Sequence, residues 1–408
     1  PVTAGFNWGA YPCPCNEYTC LTSEWAIGVM RQHQLYGIDP EVYWLDAGWY
    51  TTSTDKSWYD GVGDWRPDPS RFPGGLKEVS DEAHRNGKKF LVWFEIERAM
   101  PGTLWRRAHP EWMLHFNGRR YGSASEDDDS MPALLDLSRP EVVEWMSQEV
   151  GNLMEDNGID YYRQDFSMPP SAIWPLYDEP GRSGLCEAHY VEGLYKYLDN
   201  LFERFPSMLM DNCAAGGRRL DLEMTSRSAP LWRSDLLDNE SQQTQTYGLS
   251  LFLPQHGTGY TGTDPYSYRS AASSAVHLWP QITNAGISID TFRKITWEFY
   301  HLRDYFLEDF YPLCGFEADF TSKAIWLSYQ LDRPSDRSGF VVAFRRPECR
   351  QDSSVVKLYG LDTAKEYEIL DLDTRQTFPA SGESLMSEGL TLYSDQPRSS
   401  VLLFYKQR

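Results

Sequence analysis

Residues 88–97, KKFLVWFEIE, place a run of large apolar side chains directly before two acidic ones. A short apolar run of this kind is typical of a strand that is buried on both faces, as in parallel sheets. Shorter apolar or aromatic runs that each precede one aspartate occur in EVYWLDAG at 41–48 and in IDYYRQDF at 159–166, where Arg163 and Gln164 stand between the run and Asp165. Stretches of helical periodicity separate these segments, so the pattern predicts repeated βα units.

Strands of this kind alternate with helices from the start of the chain to about residue 300. The predicted strands are Thr3–Tyr11, Glu41–Gly48, Lys88–Ile96, Ala133–Leu137, Ile159–Phe166, Ser207–Ala214, Pro230–Asp235 and a weaker one at His256–Tyr260. The predicted helices include Thr22–Tyr36, Gly75–Asn86, Pro140–Asn157 and Ala188–Phe205. Pro140 at a first helical turn and Gly158 just past a helix end agree with these bounds. Eight units predict an α/β fold, a (β/α)8 TIM barrel, over residues 1–317.

Residues 318–408 change to short strands joined by turns. The segments are AIWLSYQL at 324–331, GFVVAFRR at 339–346, VVKLYGL at 355–361, EYEILDL at 366–372, LTLYS at 390–394 and SVLLFYK at 400–406. This pattern predicts a C-terminal antiparallel β-sandwich as a second domain.

The chain has 408 residues and a formal net charge of -21 at pH 7. Nucleic acid and anionic membranes would repel such a surface, so neither is an expected partner. The sequence contains no run of about 18 apolar residues and no signal peptide at its start, PVTAGFNWGAY. Because the chain begins at Pro1, directly in a predicted strand, we expect that a processed or omitted segment lies upstream. The cellular compartment is therefore not predicted.

Of the seven cysteines, only Cys13, Cys15 and Cys20 lie close together. An odd number argues against a disulfide framework, and the group lacks the second CxxC or paired histidines of a zinc site. We interpret these cysteines as loop thiols or a local bridge.

Acidic residues close several of the predicted strands. They are Asp46, Glu95 with Glu97, Asp165, Asp211 and Asp235. The active site of a (β/α)8 barrel lies where the carboxyl ends of its strands meet, so these side chains are expected around one pocket. The alternative is that each caps a helix or pairs with an arginine such as Arg163, Arg218 or Arg233, because an unpartnered buried carboxylate is costly. Their repeated occurrence at strand ends favours a site.

Two classes of reaction use such a ring of carboxylates. Retaining glycoside hydrolysis needs two carboxyl groups about 5 to 5.5 Å apart, one ionised and one protonated. Metal-assisted chemistry needs several carboxylates around a divalent ion, and Asp46, Glu95, Asp165 and Asp211 would be the ligands for magnesium. With eight histidines and no HExxH motif, the sequence gives a hydrolytic metal site little support. We favour the glycosidase.

At these positions the sequence resembles glycoside hydrolase family 36, the family of many α-galactosidases. That family carries Asp-Asp-Gly-Trp, Trp-Phe-Glu-Pro-Glu, Lys-Trp-Asp, Cys-x-x-Gly-Gly-x-Arg and Trp-x-Ser-Asp in this order. The counterparts here are Asp46–Trp49, Trp93–Glu97, Arg163–Asp165, Cys213–Arg219 and Trp232–Asp235. The family's C-terminal β-sandwich also has a counterpart, whereas its large N-terminal β-domain has none in this sequence.

The resemblance implies a retaining α-glycosidase, in the first place an α-galactosidase, without a metal ion or organic cofactor. It implies that Asp165 is the nucleophile and Asp235 the general acid/base. It also implies a substrate-binding set, which comprises Asp46, Trp49, Trp93, Glu95, Arg163, Cys213, Gly216 and Trp232. The expected substrate is an oligosaccharide or glycoconjugate with a terminal galactose-like sugar.

Departures from the family pattern bear on the choice of sugar. Ala47 replaces an aspartate that would accept a sugar hydroxyl, and Arg163 replaces a lysine, which changes a point donor into a planar fork. Gln164 replaces a tryptophan before the nucleophile, and Ser167 replaces an asparagine after it. Galactose is the leading expectation, and N-acetylgalactosamine, a 6-deoxy sugar or a pentopyranose stays open.

Three further alternatives stay open from the sequence. One is the metal-dependent barrel described above, and another is a non-catalytic carbohydrate-binding protein on an inherited barrel. A glycosyl-enzyme could also be intercepted by a sugar hydroxyl in place of water, which would give transglycosylation. Association into a homo-oligomer is compatible with the sequence but is not predicted by any segment of it.

Overall fold

The computed structural model describes residues 2–5, 19–52, 57–116, 131–278, 288–314 and 319–408. Within these ranges the chain divides into two compact units. The first unit spans residues 3–233, and the second comprises Val2 with residues 234–278 and 288–408. The remainder of the predicted strand Thr3–Tyr11 lies outside the described residues beyond Gly5.

A parallel sheet forms the centre of the first unit. In spatial order its strands are Met210–Asn212, Tyr161–Gln164, Lys89–Phe94, Val42–Leu45 and Val2–Gly5. Every pairing between these neighbours is parallel, so their carboxyl ends lie at one edge of the sheet. Their side chains are buried on both faces over most of their length, as the continuous apolar runs predict.

Helices connect these strands. They are Ser23–Tyr36, Lys77–Arg85, Leu104–Ala108, Pro140–Asn157, Leu185–Arg204 and Leu222–Arg227, with short turns at Trp58–Gly61, Pro110–Trp112, Pro170–Ala172, Trp174–Tyr177 and Ala214–Gly217. Thr22 caps the first helix by accepting a hydrogen bond from the Trp25 amide. Gly158 ends Pro140–Asn157 in the left-handed conformation, with φ of 63°, which glycine adopts without strain.

Two strand predictions were wrong in detail. Ala133–Leu135 is a strand, but it pairs antiparallel with Arg98–Ala99 and Met113–Leu114 in a small separate sheet. Residues 230–235, all of them described, form no strand. Only Ala229 bridges to Asp211, because Pro230 has no N–H to donate and the Leu231 amide donates to the Asp211 carboxylate.

The second unit contains a parallel pair of strands and an antiparallel sandwich. The strand Gly257–Gly259 pairs with the strand Ala275–Leu278. The sequence pattern did not predict Ala275–Leu278. The helices of this unit are Asn239–Leu249, Pro265–Ser270, Ile289–Leu302 and Gly382–Ser387, with a 3-10 turn at Arg303–Leu307.

The sandwich has a six-stranded and a two-stranded antiparallel sheet. The larger has the order Asp309–Pro312, Trp326–Arg333, Ser338–Arg345, Ser399–Gln407, Glu366–Asp371 and Thr377–Ser381, and the smaller pairs Ser353–Val356 with Leu390–Tyr393. Alternate apolar residues such as Val341, Leu403, Val356 and Leu392 form one core.

Two buried arginines join helices of the second unit to its sandwich. Arg269 binds Glu298 and also Asp373, and Arg346 binds Gln243 and the Phe320 carbonyl. The domain boundary between residues 317 and 318 stays a prediction.

Among the described cysteines, Cys20 is disulfide-bonded, whereas Cys213, Cys314 and Cys349 are free thiols. Cys13 and Cys15 lie outside the described residues. None of the helices in the described part of the chain has the length and apolarity needed to cross a membrane.

Candidate active site

Asp165 follows the strand Tyr161–Gln164 at the carboxyl edge of the parallel sheet. Its Oδ1 accepts hydrogen bonds from the Phe166 amide at 2.7 Å and the Ala215 amide at 2.8 Å. Its Oδ2 accepts one from the Trp93 indole at 3.0 Å. Three N–H donors from three segments therefore fix the orientation of one carboxylate, which is 9% exposed.

The donor Ala215 belongs to an unusual turn. Residues Ala214, Ala215, Gly216 and Gly217 all have positive φ, at 47°, 54°, 75° and 87°. An L-residue in this region costs roughly 1–2 kcal/mol, so the two alanines are strained. The turn directs the Ala215 amide to Asp165 and the Gly216 amide to the Cys213 sulfur at 3.4 Å. A side chain on Gly217 would lie 2.2 Å from a backbone carbonyl oxygen, so only glycine fits there.

Arg163 lies between two acidic strand ends. Its Nε is 3.3 Å from Asp46 Oδ2, and its Nη1 donates to Asp211. The guanidinium also stacks 4.3 Å from the Trp44 ring centroid. Burial opposes its charge, but Cys213, Asp211 and the other acidic neighbours outweigh this and raise the pKa of Arg163. The sequence left the direction of this side chain open, and the structure places it among the acidic residues.

Asp46 is buried with its carboxylate in fixed contacts. The Trp44 indole donates to Oδ2 at 2.8 Å, and the Ala47 amide donates to Oδ1 at 2.9 Å. Burial raises the pKa of Asp46 to about 6, although Arg163 acts in the opposite direction.

Glu95 is fully buried at the end of the neighbouring strand. Its Oε2 is 2.5 Å from Arg98 Nη2, and its Oε1 accepts the Ser167 amide at 3.1 Å. Burial raises its pKa to about 7, with Arg98 opposing and the charge of Asp165 adding to the rise. Glu95 has no exposed surface, whereas Asp46 and Asp165 are 7% and 9% exposed, which gives Glu95 a supporting position beside Asp165.

Glu97 organises a hydrogen-bond network that the sequence did not reveal. Arg219 binds it with two nitrogens at 2.6 and 2.9 Å, Gln164 donates at 2.9 Å and Tyr190 at 3.0 Å. Burial opposes the charge of Arg219, but Glu97 raises the pKa of Arg219 overall. Gln164, which replaces the family's tryptophan, thereby connects the strand of Asp165 to this network. The arginine of the Cys-x-x-Gly-Gly-x-Arg motif was the available signal.

The tryptophans of the predicted binding set are almost completely buried. Trp49 donates to the Trp93 carbonyl at 2.9 Å and packs among Tyr50 and Trp65. Trp232 meets Trp44 edge to face at 6.3 Å. Trp49 and Trp232 therefore support the walls of the site through aromatic packing.

Asp235 belongs to the second unit. It lies in an irregular segment before the helix Asn239–Leu249, and its side chain is exposed. The first unit brings together seven of the ten predicted site residues, namely Asp46, Trp93, Glu95, Arg163, Asp165, Cys213 and Gly216, and Asp211 lies with them.

The acidic side chains of the first unit carry their own counterions. Asp46 and Asp211 share Arg163, Glu95 pairs with Arg98, and Glu97 pairs with Arg219. In the described part of the chain, no group of three or more His, Cys, Asp or Glu side chains has a metal-binding arrangement.

The sequence model of the Melibiase family matches residues 22–275. The chain belongs to the melibiase family. The chain is 26% identical over 367 residues to the α-galactosidase Mel36A of Lactobacillus acidophilus, covering 86% of this chain and 47% of that protein. It is 26% identical over 400 residues to the α-galactosidase AgaA of Geobacillus stearothermophilus, covering 95% and 52%. It therefore spans about half the length of the curated relatives it matches.

Solved structures of glycoside hydrolase family 36 share the fold of this chain. AgaA of G. stearothermophilus superposes with a TM-score of 0.81 at 24% identity, over 100% of this chain and 55% of that one. The α-galactosidase of Lactobacillus brevis gives a TM-score of 0.80 at 22% identity, with the same coverage. The predicted resemblance to family 36 and the predicted TIM barrel with a C-terminal sandwich are confirmed.

Proposed function

We propose that the protein is a retaining α-galactosidase that hydrolyses terminal α-linked galactose-like sugars from oligosaccharides or glycoconjugates. The observation that carries this proposal is the carboxylate of Asp165, held by the Phe166, Ala215 and Trp93 N–H groups at the end of a parallel strand. A nucleophile must be held in position before it attacks, and these three N–H donors orient the Asp165 carboxylate.

The proposed reaction has two displacements. Asp165 attacks the anomeric carbon while Asp235 protonates the oxygen of the leaving group, which gives a glycosyl ester on Asp165. Asp235 then takes a proton from water, which attacks the anomeric carbon and releases the sugar. Asp235 is assigned through its place in the Trp-x-Ser-Asp motif, and its exposed side chain is accessible to a leaving group. Transglycosylation would replace the water by a sugar hydroxyl.

Asp46 and Arg163 are proposed to bind hydroxyl groups of the sugar. Asp46 supplies an oriented acceptor, and Ala47 leaves out the second carboxylate of the family pattern. Structures of AgaA variants contain 1-deoxygalactonojirimycin, raffinose and stachyose, which supports a galactose-containing oligosaccharide as the first substrate to test. Because of Ala47, we would test N-acetylgalactosaminides, 6-deoxy sugars and pentopyranosides as well. The reaction as proposed uses no metal ion or organic cofactor.

The test is hydrolysis of a panel of aryl α-glycosides by the intact chain and by Asp165→Asn, measured as release of the aryl group. We expect turnover of the α-galactoside to fall by about 10⁴-fold or more in the variant, with its melting temperature preserved. Asp160→Asn is the matched control, since Asp160 precedes the same strand at its opposite end and binds Lys89. Equal activity of Asp165→Asn and the unchanged chain would refute the assignment. An inactive chain that still binds sugars would support the carbohydrate-binding alternative.

A further inference from the structure

A second cleft lies in the second unit, beside the outer face of the six-stranded sheet. Its volume is about 770 Å³, which is within the usual range of small-ligand sites. The helix Ile289–Leu302 forms one side, and the ends of the strands Ser399–Gln407 and Glu366–Asp371 form the floor. Every residue that lines it lies between positions 297 and 408.

An aromatic surface stands at the helical side of the cleft. Trp297 is 42% exposed, which distinguishes it from the buried tryptophans of the parallel sheet. The His301 ring lies 3.8 Å from it, and His301 Nδ1 is 2.7 Å from the Trp297 carbonyl oxygen. The Arg375 guanidinium lies 5.9 Å from the indole centroid. His301 and Arg375 therefore pack against the indole, and Trp297 still keeps 42% of its surface exposed.

Oriented polar groups stand at the other side. Arg333 binds Asp336 with two nitrogens, at 3.0 and 2.7 Å, and also donates to the Tyr305 hydroxyl at 3.0 Å. Ser338 donates to Asp336 at 2.6 Å. Hydrogen bonding by Arg333 is the main cause that lowers the pKa of Asp336 to about 2, so Asp336 is a charged acceptor at neutral pH. Phe404 supplies an apolar floor between the two sides.

The charges around the cleft are balanced, unlike those of the whole chain. Four cationic side chains, Arg333, Arg375, Lys406 and Arg408, face three acidic ones, Asp304, Asp336 and Glu368. The chain as a whole carries a net charge of -21. A balanced lining provides both donors and acceptors without the single-sign field that selects a charged ligand.

We propose that this cleft is a second carbohydrate-binding site, which holds an uncharged oligosaccharide with one sugar ring stacked on Trp297 and hydroxyl groups bonded to the Arg333–Asp336 pair. A sugar ring has an apolar CH face and a polar edge, and the cleft presents an aromatic face and a polar side to match them. A long glycan chain bound here would be retained at the protein surface between catalytic events. The proposal does not depend on the chemistry of Asp165.

The experiment is native gel electrophoresis of the intact chain in gels with and without galactomannan. The net negative charge carries the protein into the gel, and binding to the immobile glycan retards it. We expect retardation of the unchanged chain and about tenfold weaker binding for Trp297→Ala, with a smaller loss for Arg375→Ala. Tyr393→Ala is the matched control, because Tyr393 is an exposed aromatic residue of the sandwich that does not line the cleft. Hydrolysis of an aryl α-galactoside should be unchanged in all three variants.

Three results would overturn the proposal: no retardation of the unchanged chain, equal retardation of Trp297→Ala, or retardation only by a charged glycan such as polygalacturonate. Failure of the proposed function is distinguishable from these. If the unchanged chain hydrolyses no glycoside but is retarded by galactomannan, and Trp297→Ala removes the retardation, the second site stands. Only the catalytic assignment is then refuted.

Discussion

Two fully buried arginines show how differently the two units use charge. Arg269, in the second unit, donates five hydrogen bonds, to Glu298, Asp373 and Ser400. These bonds use every N–H of a guanidinium. Arg163, in the first unit, is equally buried, but among the described residues its Nε has no hydrogen-bond partner and only an ion pair to Asp46 at 3.3 Å.

Burial alone therefore does not identify a functional charge. Saturated donors indicate a structural role, because nothing remains for a ligand to bind. Donors that stay incompletely used beside acidic residues have bonding capacity left, and maintaining them costs stability. We therefore expect substitution of Arg269 to affect stability first and substitution of Arg163 to affect chemistry first.

Matched lysine substitutions give the largest expected contrast. Lysine keeps the charge but cannot form the planar fork, so Arg269→Lys leaves Glu298 and Asp373 partly unpaired. We expect it to lower the free energy of unfolding by about 3–4 kcal/mol, whereas Arg163→Lys should lower it by less than about 1 kcal/mol and change the preference among aryl α-glycosides. Urea unfolding of both variants measures this. Equal losses of stability would remove the distinction between the two arginines.

The pH dependence of stability tests the buried carboxylates of the first unit. Burial raises the pKa of Glu95 from its ordinary value of 4.5 to about 7, so the folded state holds a proton that the unfolded state has lost. Stability from this group is therefore present below pH 4.5 and is lost as the pH rises to about 7.

Relative to Glu95→Gln, the unchanged chain should lose about 3 kcal/mol over this window. Asp46 acts in the same direction over a narrower range. Urea titrations at several pH values measure the effect, with the exposed Glu149→Gln as control. A stability difference between the unchanged chain and Glu95→Gln that does not vary with pH would contradict the raised pKa.

The smallest expected effect concerns backbone strain. The backbones at Ala215, in the first unit, and Arg337, in the second, adopt the left-handed conformation, with φ of 54° and 55°. Replacement by glycine should stabilise either site by about 0.5–1 kcal/mol, since relief of strain exceeds the entropy that glycine adds. Only Ala215→Gly should also reduce kcat, by a few fold. The amide at position 215 binds Asp165, and a more flexible glycine holds this amide less rigidly. If Arg337→Gly reduced kcat equally, the effect could not be assigned to the Asp165 contact.

The sequence predicted most of this architecture because its signals are local. Apolar runs that end in Asp46, Glu95 and Asp165 indicate both strands and their functional edge. The direction of Arg163 was not predictable, since alternation along a strand does not tell which face meets which neighbour. The strand at residues 275–278 was not predicted because it is short. Ala133–Leu135 has the composition of a barrel strand but pairs in a separate antiparallel sheet.

The left-handed turn was also beyond prediction. Glycine signals a positive φ, but alanine does not, and here tertiary contacts hold Ala214 and Ala215 in that region. Similarly, the family resemblance implied that Trp49 and Trp232 belong to a binding set, whereas their burial depends on packing against Tyr50, Trp65 and Trp44.

The close approach at Gly217 limits how this protein can be redesigned. A β-carbon there would lie 2.2 Å from the Arg233 carbonyl oxygen, so no choice of rotamer relieves the overlap. In a mutant library, position 217 would accept other residues only if the backbone at 233 moved at the same time. Position 217 should therefore remain glycine in such a library unless the backbone segment at 233 is rebuilt with it.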